Sequence, residues 1–118
     1  MTKWRVAGIN FDHMHMGDLL RMVDQHPDAE IVGLYDRSRD RMAQAIADFA
    51  LPDSAVFTDL DTCVRTAKPD LAIVCAATAE HADHVEALAR HNIHVLVEKP
   101  FAASVSDARR MIDAMAAT

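Results

Sequence analysis

Cysteine is scarce: Cys63 and Cys75 are the only two, too few for a disulfide framework, and a reducing cytoplasm is the expected location. No apolar run approaches the ~20 residues needed to cross a bilayer. The N-terminal Met1-Thr2-Lys3-Trp4-Arg5 runs straight into a strand-like segment, without the apolar stretch of a signal peptide. No membrane partner is therefore expected. Basic clusters are also missing, and the formal net charge is −6. That balance excludes a nucleic-acid face, which needs concentrated positive charge to displace counterions from phosphates. Repeats, low-complexity tracts and internal linkers are absent. Residues 1–118 thus read as one domain, long enough to bury a core without staples. The 51% hydrophobic and 25% charged fractions are those of an ordinary globular domain.

What is present alternates between two periods. Short β-rich runs occur at Arg5–Ile9, Ile31–Tyr35, Leu71–Cys75 and Val95–Val97, with a weaker one at Ala55–Phe57. The first four are nearly continuously apolar, as expected of central parallel strands covered on both faces. Between them apolar residues recur at helical spacing. The stripes are Met16/Leu19/Leu20/Val23, Met42/Ala45/Ile46/Phe49, Leu60/Cys63/Val64/Ala67, Val85/Leu88/Ala89 and Ala108/Met111/Ile112/Met115. His26-Pro27-Asp28, Leu51-Pro52-Asp53 and Lys68-Pro69-Asp70 punctuate them. Ser104, with Asp107 three residues on, opens the last helix in the manner of a capping box. Five strand–helix alternations predict an α/β fold, a doubly wound parallel sheet of Rossmann type with helices on both faces. By analogy with such sheets, the expected strand order is 3-2-1-4-5.

In such sheets ligands bind beyond the C-terminal strand ends, where the strand order reverses. The first tip is Asn10-Phe11-Asp12-His13-Met14-His15. A dinucleotide-binding turn would carry G-x-G-x-x-G here, but Asn10, Asp12 and His15 stand at the three glycine positions. Asn10 can substitute, because Asn tolerates the left-handed conformation. The Asp12 carboxylate would repel phosphates, and its ordinary role is helix N-cap. His13 and His15 can donate to phosphate. With Asp12 or Asp18 they could also ligate a metal, but such pairings are common by chance and no metal is expected. At the second tip, Asp36 lies 21 residues after His15, the place of an acidic residue that accepts from the adenosine ribose hydroxyls. A carboxylate there favours NAD. Arg37 and Arg39 could instead pair with a 2′-phosphate, which keeps NADP as the alternative. Asp36 could equally cap the next helix, with both arginines solvated. At the third tip, Ala76 and its small neighbours leave room for a flat ring and a diphosphate. Thr78 reads as the N-cap of a helix containing His81. Cys75 reads as a small buried hydrophobe. At the fourth tip Glu98-Lys99-Pro100 ends a hydrophobic strand, either as an exposed ion pair of little energetic value or as part of a site.

The segment His94–Ala102, H-V-L-V-E-K-P-F-A, resembles the signature of the Gfo/Idh/MocA oxidoreductases, which include glucose–fructose oxidoreductase and inositol dehydrogenase. The similarity extends over the whole chain. It takes in the start of the first strand, Asp36, the Ala76–His81 stretch (similar to A-T-P-N-x-x-H) and the capped helix after Pro100. The resemblance implies that Glu-Lys-Pro lies beside the nicotinamide, often with a cis proline. It further implies that Lys99 is the catalytic residue, positioning substrate or assisting proton transfer, and that Glu98 lies against the nicotinamide ribose. Asn10, Asp12, His13, Asp36, Arg37, Ala76, Thr78 and His81 complete the expected cofactor set. The resemblance also implies a second α/β domain beyond Thr118 that carries the small-molecule substrate and an Asp/His pair. The chain is accordingly read as part of a longer protein, homo-oligomeric when complete, and the fragment alone is expected to fold without turning over substrate. The implied activity is hydride transfer between NAD, or NADP, and a polyol, sugar or related hydroxyl or carbonyl compound. A non-catalytic ligand-binding or assembly module with a degenerate nucleotide site stays open as the alternative.

Overall fold

The computed structural model describes residues 2–118. Five parallel strands, β1 (Trp4–Ile9), β2 (Ala29–Tyr35), β3 (Val56–Phe57), β4 (Leu71–Val74) and β5 (His94–Val97), form one sheet in the order β3-β2-β1-β4-β5. The helices α1 (His15–Gln25), α2 (Arg39–Asp48), α3 (Leu60–Ala67), α4 (His81–Ala89) and α5 (Val105–Ala116) follow the strands in turn. Short 3₁₀ turns lie at Asp53–Ala55 and Thr78–Glu80. The order is the one expected by analogy with doubly wound sheets.

The period of two in each strand divides the core. Ala7, Ile9, Ala72 and Val74 pack with Cys63 and Val64 of α3 and Leu88 of α4. Val6, Leu34, Ile73 and Cys75 pack with Met16 and Leu20 of α1 and Met42 and Ala45 of α2. Each large side chain fully buried in this way contributes about 1.5–3 kcal/mol. Gly8 keeps α1 close to the sheet, since a Cβ there would lie 3.1 Å from the Met16 sulfur. Two helices carry side-chain caps: Ser104 accepts from the Asp107 amide, as its sequence predicts, and Asp59, not singled out from sequence, accepts from the Thr62 amide. Asp107 does not complete a box; its carboxylate takes Arg110 instead.

Two expectations about burial fail at the same edge. The run at Val95–Val97 is not a covered central strand. β5 is the sheet edge, with alternating exposure and Leu96 45% exposed. Ile112, placed by spacing on the core stripe of α5, is 60% exposed, while Met111 meets Ala82 and Val85 of α4.

The register fixes the functional edge. Ile9 pairs with Tyr35 and with Val74, and Val74 with Val97. The residues that follow, Asn10, Asp36, Cys75 and Glu98, therefore leave the sheet in one row.

Candidate functional site

The turn after β1 sits at the centre of that row. Asn10 is buried and left-handed, with φ 66°, so it provides the tight turn that glycine would otherwise supply. Its amide donates to the Tyr35 carbonyl at 2.7 Å, and its side-chain amide lies 2.7 Å from His84 Nε2. Asp12 is not the helix cap. α1 begins at His15, and Met14 occupies the cap position without a side-chain hydrogen bond. The Asp12 carboxylate turns across the sheet instead, accepting from the Ala77 amide at 3.0 Å and pairing with Arg41. A bond across 65 residues of chain wins over a local cap here because Arg41 stands beside it to balance the charge.

His13 and His15 lie side by side, ring centroids 4.2 Å apart. His13 Nδ1 accepts from the His15 amide, and His15 Nδ1 lies 3.2 Å from Glu98 Oε1. The His15 imidazole so placed holds the Glu98 carboxyl below the usual carboxylate range, and the nearby positive ends of both rings act in the same sense. Glu98 is therefore an acceptor at neutral pH.

Asp36 is 2% exposed. It accepts from the Phe11 amide at 2.8 Å and from the Ser38 amide at 2.9 Å. It does not cap α2, since Ser38 holds the cap position. A carboxylate has about four lone-pair sites, so two remain for a ligand. Arg37 and Arg39 are both exposed, and each meets a carboxylate at the surface: Arg37 pairs with Glu80 at 3.1 Å and Arg39 with Asp53 at 2.6 Å. The cation nearest the site is Arg41, between Asp12 and Asp36, 3.9 Å from the latter. The sequence gives little sign of it, because Arg41 lies in the first turn of α2 among other charges.

At the third tip, Ala76 is buried and Ala77 exposed, and both are small. Thr78 begins a 3₁₀ turn rather than capping α4, whose cap position is Glu80. His81 is buried, with Nε2 2.9 Å from the Ala76 carbonyl oxygen and Nδ1 3.0 Å from that of Phe101. It is a wedge between the third and fourth tips. Burial, with the Glu98 charge adding to it, pushes the Cys75 thiol up to about 12, so it is no nucleophile. Lys99 is exposed and is joined to Pro100 by a cis peptide bond.

A row of strand ends bearing a buried acid on β2 and Glu-Lys-Pro on β5 is the arrangement that the sequence resemblance anticipates. The sequence profile of Gfo/Idh/MocA, an oxidoreductase family with an NAD-binding Rossmann fold, matches residues 3–118. The chain belongs to that family. An uncharacterized oxidoreductase of Streptococcus pneumoniae serotype 4 is 33% identical over 114 residues, covering 97% of this chain and 29% of that protein. The D-glucoside 3-dehydrogenase of Escherichia coli K12 is 34% identical over 86 residues, covering 73% of this chain and 24% of that one. Among solved structures, the WlbA dehydrogenase of Bordetella pertussis, in complex with NADH and UDP-GlcNAcA, superposes with a TM-score of 0.87 at 22% identity. It covers 98% of this chain and 34% of that one, and the likeness concerns the fold. The chain thus spans about a quarter to a third of the length of these proteins.

As a Gfo/Idh/MocA domain, the site can be tested against a dinucleotide residue by residue. The β2 end fits, with a buried carboxylate that keeps two acceptor sites. The β4 and β5 ends fit, with small residues beside an exposed lysine. The β1 turn differs, having Asp12 where the family fingerprint has glycine, and Arg41 offsets that charge.

Proposed function

We propose that this NAD-binding domain places the nicotinamide ring for hydride transfer to or from a polyol, sugar or related hydroxyl or carbonyl compound. One observation carries the reading. The single turn Asn10–His15 is bonded to the tip of β2 through Phe11 and Asp36, and to the tip of β5 through His15 and Glu98. Two ligand-facing ends of the sheet, on either side of the switch between β1 and β4, are thereby fixed to one loop.

Asp36 accepts from the adenosine ribose hydroxyls through its two remaining lone-pair sites, and its charge repels a 2′-phosphate, so NAD is preferred to NADP. Arg41 and His13 meet the phosphates from the α2 and α1 sides. Ala76 and Thr78 leave the path open past β4, and His81 holds the two tips at their spacing. Arg37, paired to Glu80, braces the mouth. Glu98 receives the nicotinamide ribose, and the Lys99 amine binds the reacting oxygen of the substrate and holds or passes its proton. The bound nicotinamide supplies the hydride acceptor or donor, and the domain supplies placement. The sugar class is supported by the D-glucoside 3-dehydrogenase relative. The facing wall of the site, with the substrate domain and any assembly into a homo-oligomer, is assigned to sequence outside this domain.

The test is a titration of this chain with NADH and with NADPH, followed by nucleotide fluorescence. Saturable binding with NADH tighter than NADPH, weakened by Asp36→Ser, is expected. Equal binding of both nucleotides, unaffected by Asp36→Ser, would remove Asp36 from the ribose site. In the full-length protein, dehydrogenase activity unchanged by Lys99→Ala would remove Lys99 from the chemistry.

A further inference from the structure

His13, His15 and Glu98 each offer one ligand atom, and these atoms all lie within 4.8 Å of one another. We propose that they form a binding site for a divalent metal ion of the zinc class, with at least one coordination position left open. The metal-binding step stands without the dinucleotide reading.

The ligand set comes first. Two imidazoles and one carboxylate make a three-ligand group of the kind that holds zinc with a fourth position for water or substrate. Nitrogen-rich sets select zinc, iron, cobalt or nickel over magnesium, which prefers oxygen alone. The carboxylate is Glu98 from the tip of β5, not Asp12 or Asp18 as sequence proximity suggests. Asp12 is committed to Ala77 and Arg41, whereas Glu98 reaches the histidines across 83 residues of chain.

The geometry comes second. With metal–ligand bonds of about 2.0–2.1 Å, neighbouring ligand atoms of a tetrahedral site stand roughly 3.4 Å apart. His15 Nδ1 and Glu98 Oε1 are already 3.2 Å apart. The His13 nitrogen closes the remaining gap by turning its ring about the side-chain torsions. That turn releases the bond from the His15 amide, a first-turn N–H that solvent can satisfy. The two rings are tilted by 58° rather than stacked, so their nitrogens can converge. All three residues are half-buried: covered enough to be held in place, open enough for an ion to enter.

On the reading of the preceding subsection, Glu98 and His13 also meet the nicotinamide ribose and a phosphate, so metal and dinucleotide would compete for the same side chains.

The experiment uses the 118-residue chain, stripped with a chelator and without nucleotide. Zn²⁺ is titrated by calorimetry and by competition with a chromophoric indicator, and Co²⁺ is followed through its visible absorption. One equivalent of Zn²⁺ should bind, with Mg²⁺ far weaker. His13→Ala, His15→Ala and the near-isosteric Glu98→Gln should each weaken Zn²⁺ binding by more than about 100-fold, beyond the 10–100-fold typical of supporting residues. The same three changes should abolish the Co²⁺ bands. His94→Ala, at the opposite end of β5, should leave both unchanged. Absence of stoichiometric Zn²⁺ binding, or equal affinity in wild type, His15→Ala and Glu98→Gln, would overturn the site. Neither result bears on the separate NADH titration, so failure of the metal site and failure of the cofactor reading are distinguishable.

Discussion

Replacing His81 by alanine should cost about 2–5 kcal/mol of stability and loosen the fourth tip from the third. The ring is 1% exposed and lies between the carbonyl oxygens of Ala76, at 2.9 Å, and Phe101, at 3.0 Å. Ala76 is itself buried, so its oxygen would be stranded without a donor, at about 1–3 kcal/mol. Phe101 is half-exposed, and water would replace most of what its oxygen loses. Removing the imidazole beyond Cβ also leaves a cavity at a fully buried position, adding roughly 1–2 kcal/mol. A domain of this size has about 5–15 kcal/mol in total, so the variant should still fold. With a urea slope of about 2 kcal/mol per molar, its midpoint should fall by about 1–2.5 M. His81→Gln, which keeps an N–H donor and most of the volume, should recover at least half of that. Urea denaturation followed by far-UV circular dichroism measures both. A midpoint for His81→Ala within about 0.3 M of wild type would refute the wedge argument.

Asp36→Ser should weaken NAD binding by about 10–100-fold, the loss of charge-assisted bonds to two hydroxyls. It should spare NADP, and parallel fluorescence titrations read the ratio. Asp12→Gly should tighten NAD binding by about tenfold, one like charge less beside the diphosphate, with Arg41 released; unchanged or weaker binding in calorimetry would count against it. Ser104→Ala should cost α5 about 1 kcal/mol in urea titrations, the usual loss for an N-cap. The Thr62 hydroxyl and amide hold the Asp59 carboxyl below its ordinary 3.8. Its folded form therefore adds stability above that value, and the contribution fades as pH falls through the depressed one. The stability gap between wild type and Asp59→Asn should accordingly stay constant near neutrality and close on acidification.

The elements and the four tips were legible because each rests on a local pattern: an apolar run, a helical stripe, a turn signal; the strand order came by analogy. Errors arose where tertiary position overrides such patterns. Val95–Val97 reads as a buried strand because a short apolar run looks alike at the centre and the edge of a sheet. The exposure of Leu96 depends on nothing pairing beyond β5 among the described residues. Ile112 has the right spacing for a core stripe, yet α5 has only α4 and the edge strand to lean on, so its buried face is narrow. Asp12 and Thr78 both read as caps by the local rule. The first was drawn away by an amide 65 residues distant, the second displaced by a 3₁₀ turn that delays α4 to His81. Arg41, the Asn10–His84 contact and the meeting of His15 with Glu98 leave no trace in any window of sequence, since each depends on the register that brings the strand ends into line.

The same register explains how the turn after β1 can dispense with glycine. In the fingerprint, glycine lets the chain turn sharply and lets backbone amides approach the pyrophosphate. Asn10 takes over the first task with its left-handed backbone. The second is reorganised rather than replaced. The amides of Asn10, Phe11 and Asp12 are all spent inside the protein, on the Tyr35 carbonyl, the Asp36 carboxylate and the Cys75 carbonyl. Backbone donors locked in this way tie the turn to β2 and β4, and they are already satisfied within the protein. On the proposed function, phosphate recognition would then fall to side chains, with Arg41 on α2 and His13 before α1 beside the turn. Asp12 belongs to that arrangement, since its carboxylate pairs with the Arg41 guanidinium while its other oxygen joins the turn to the Ala77 amide. A cationic side chain can exchange partners, from carboxylate to phosphate, where a fixed backbone amide cannot.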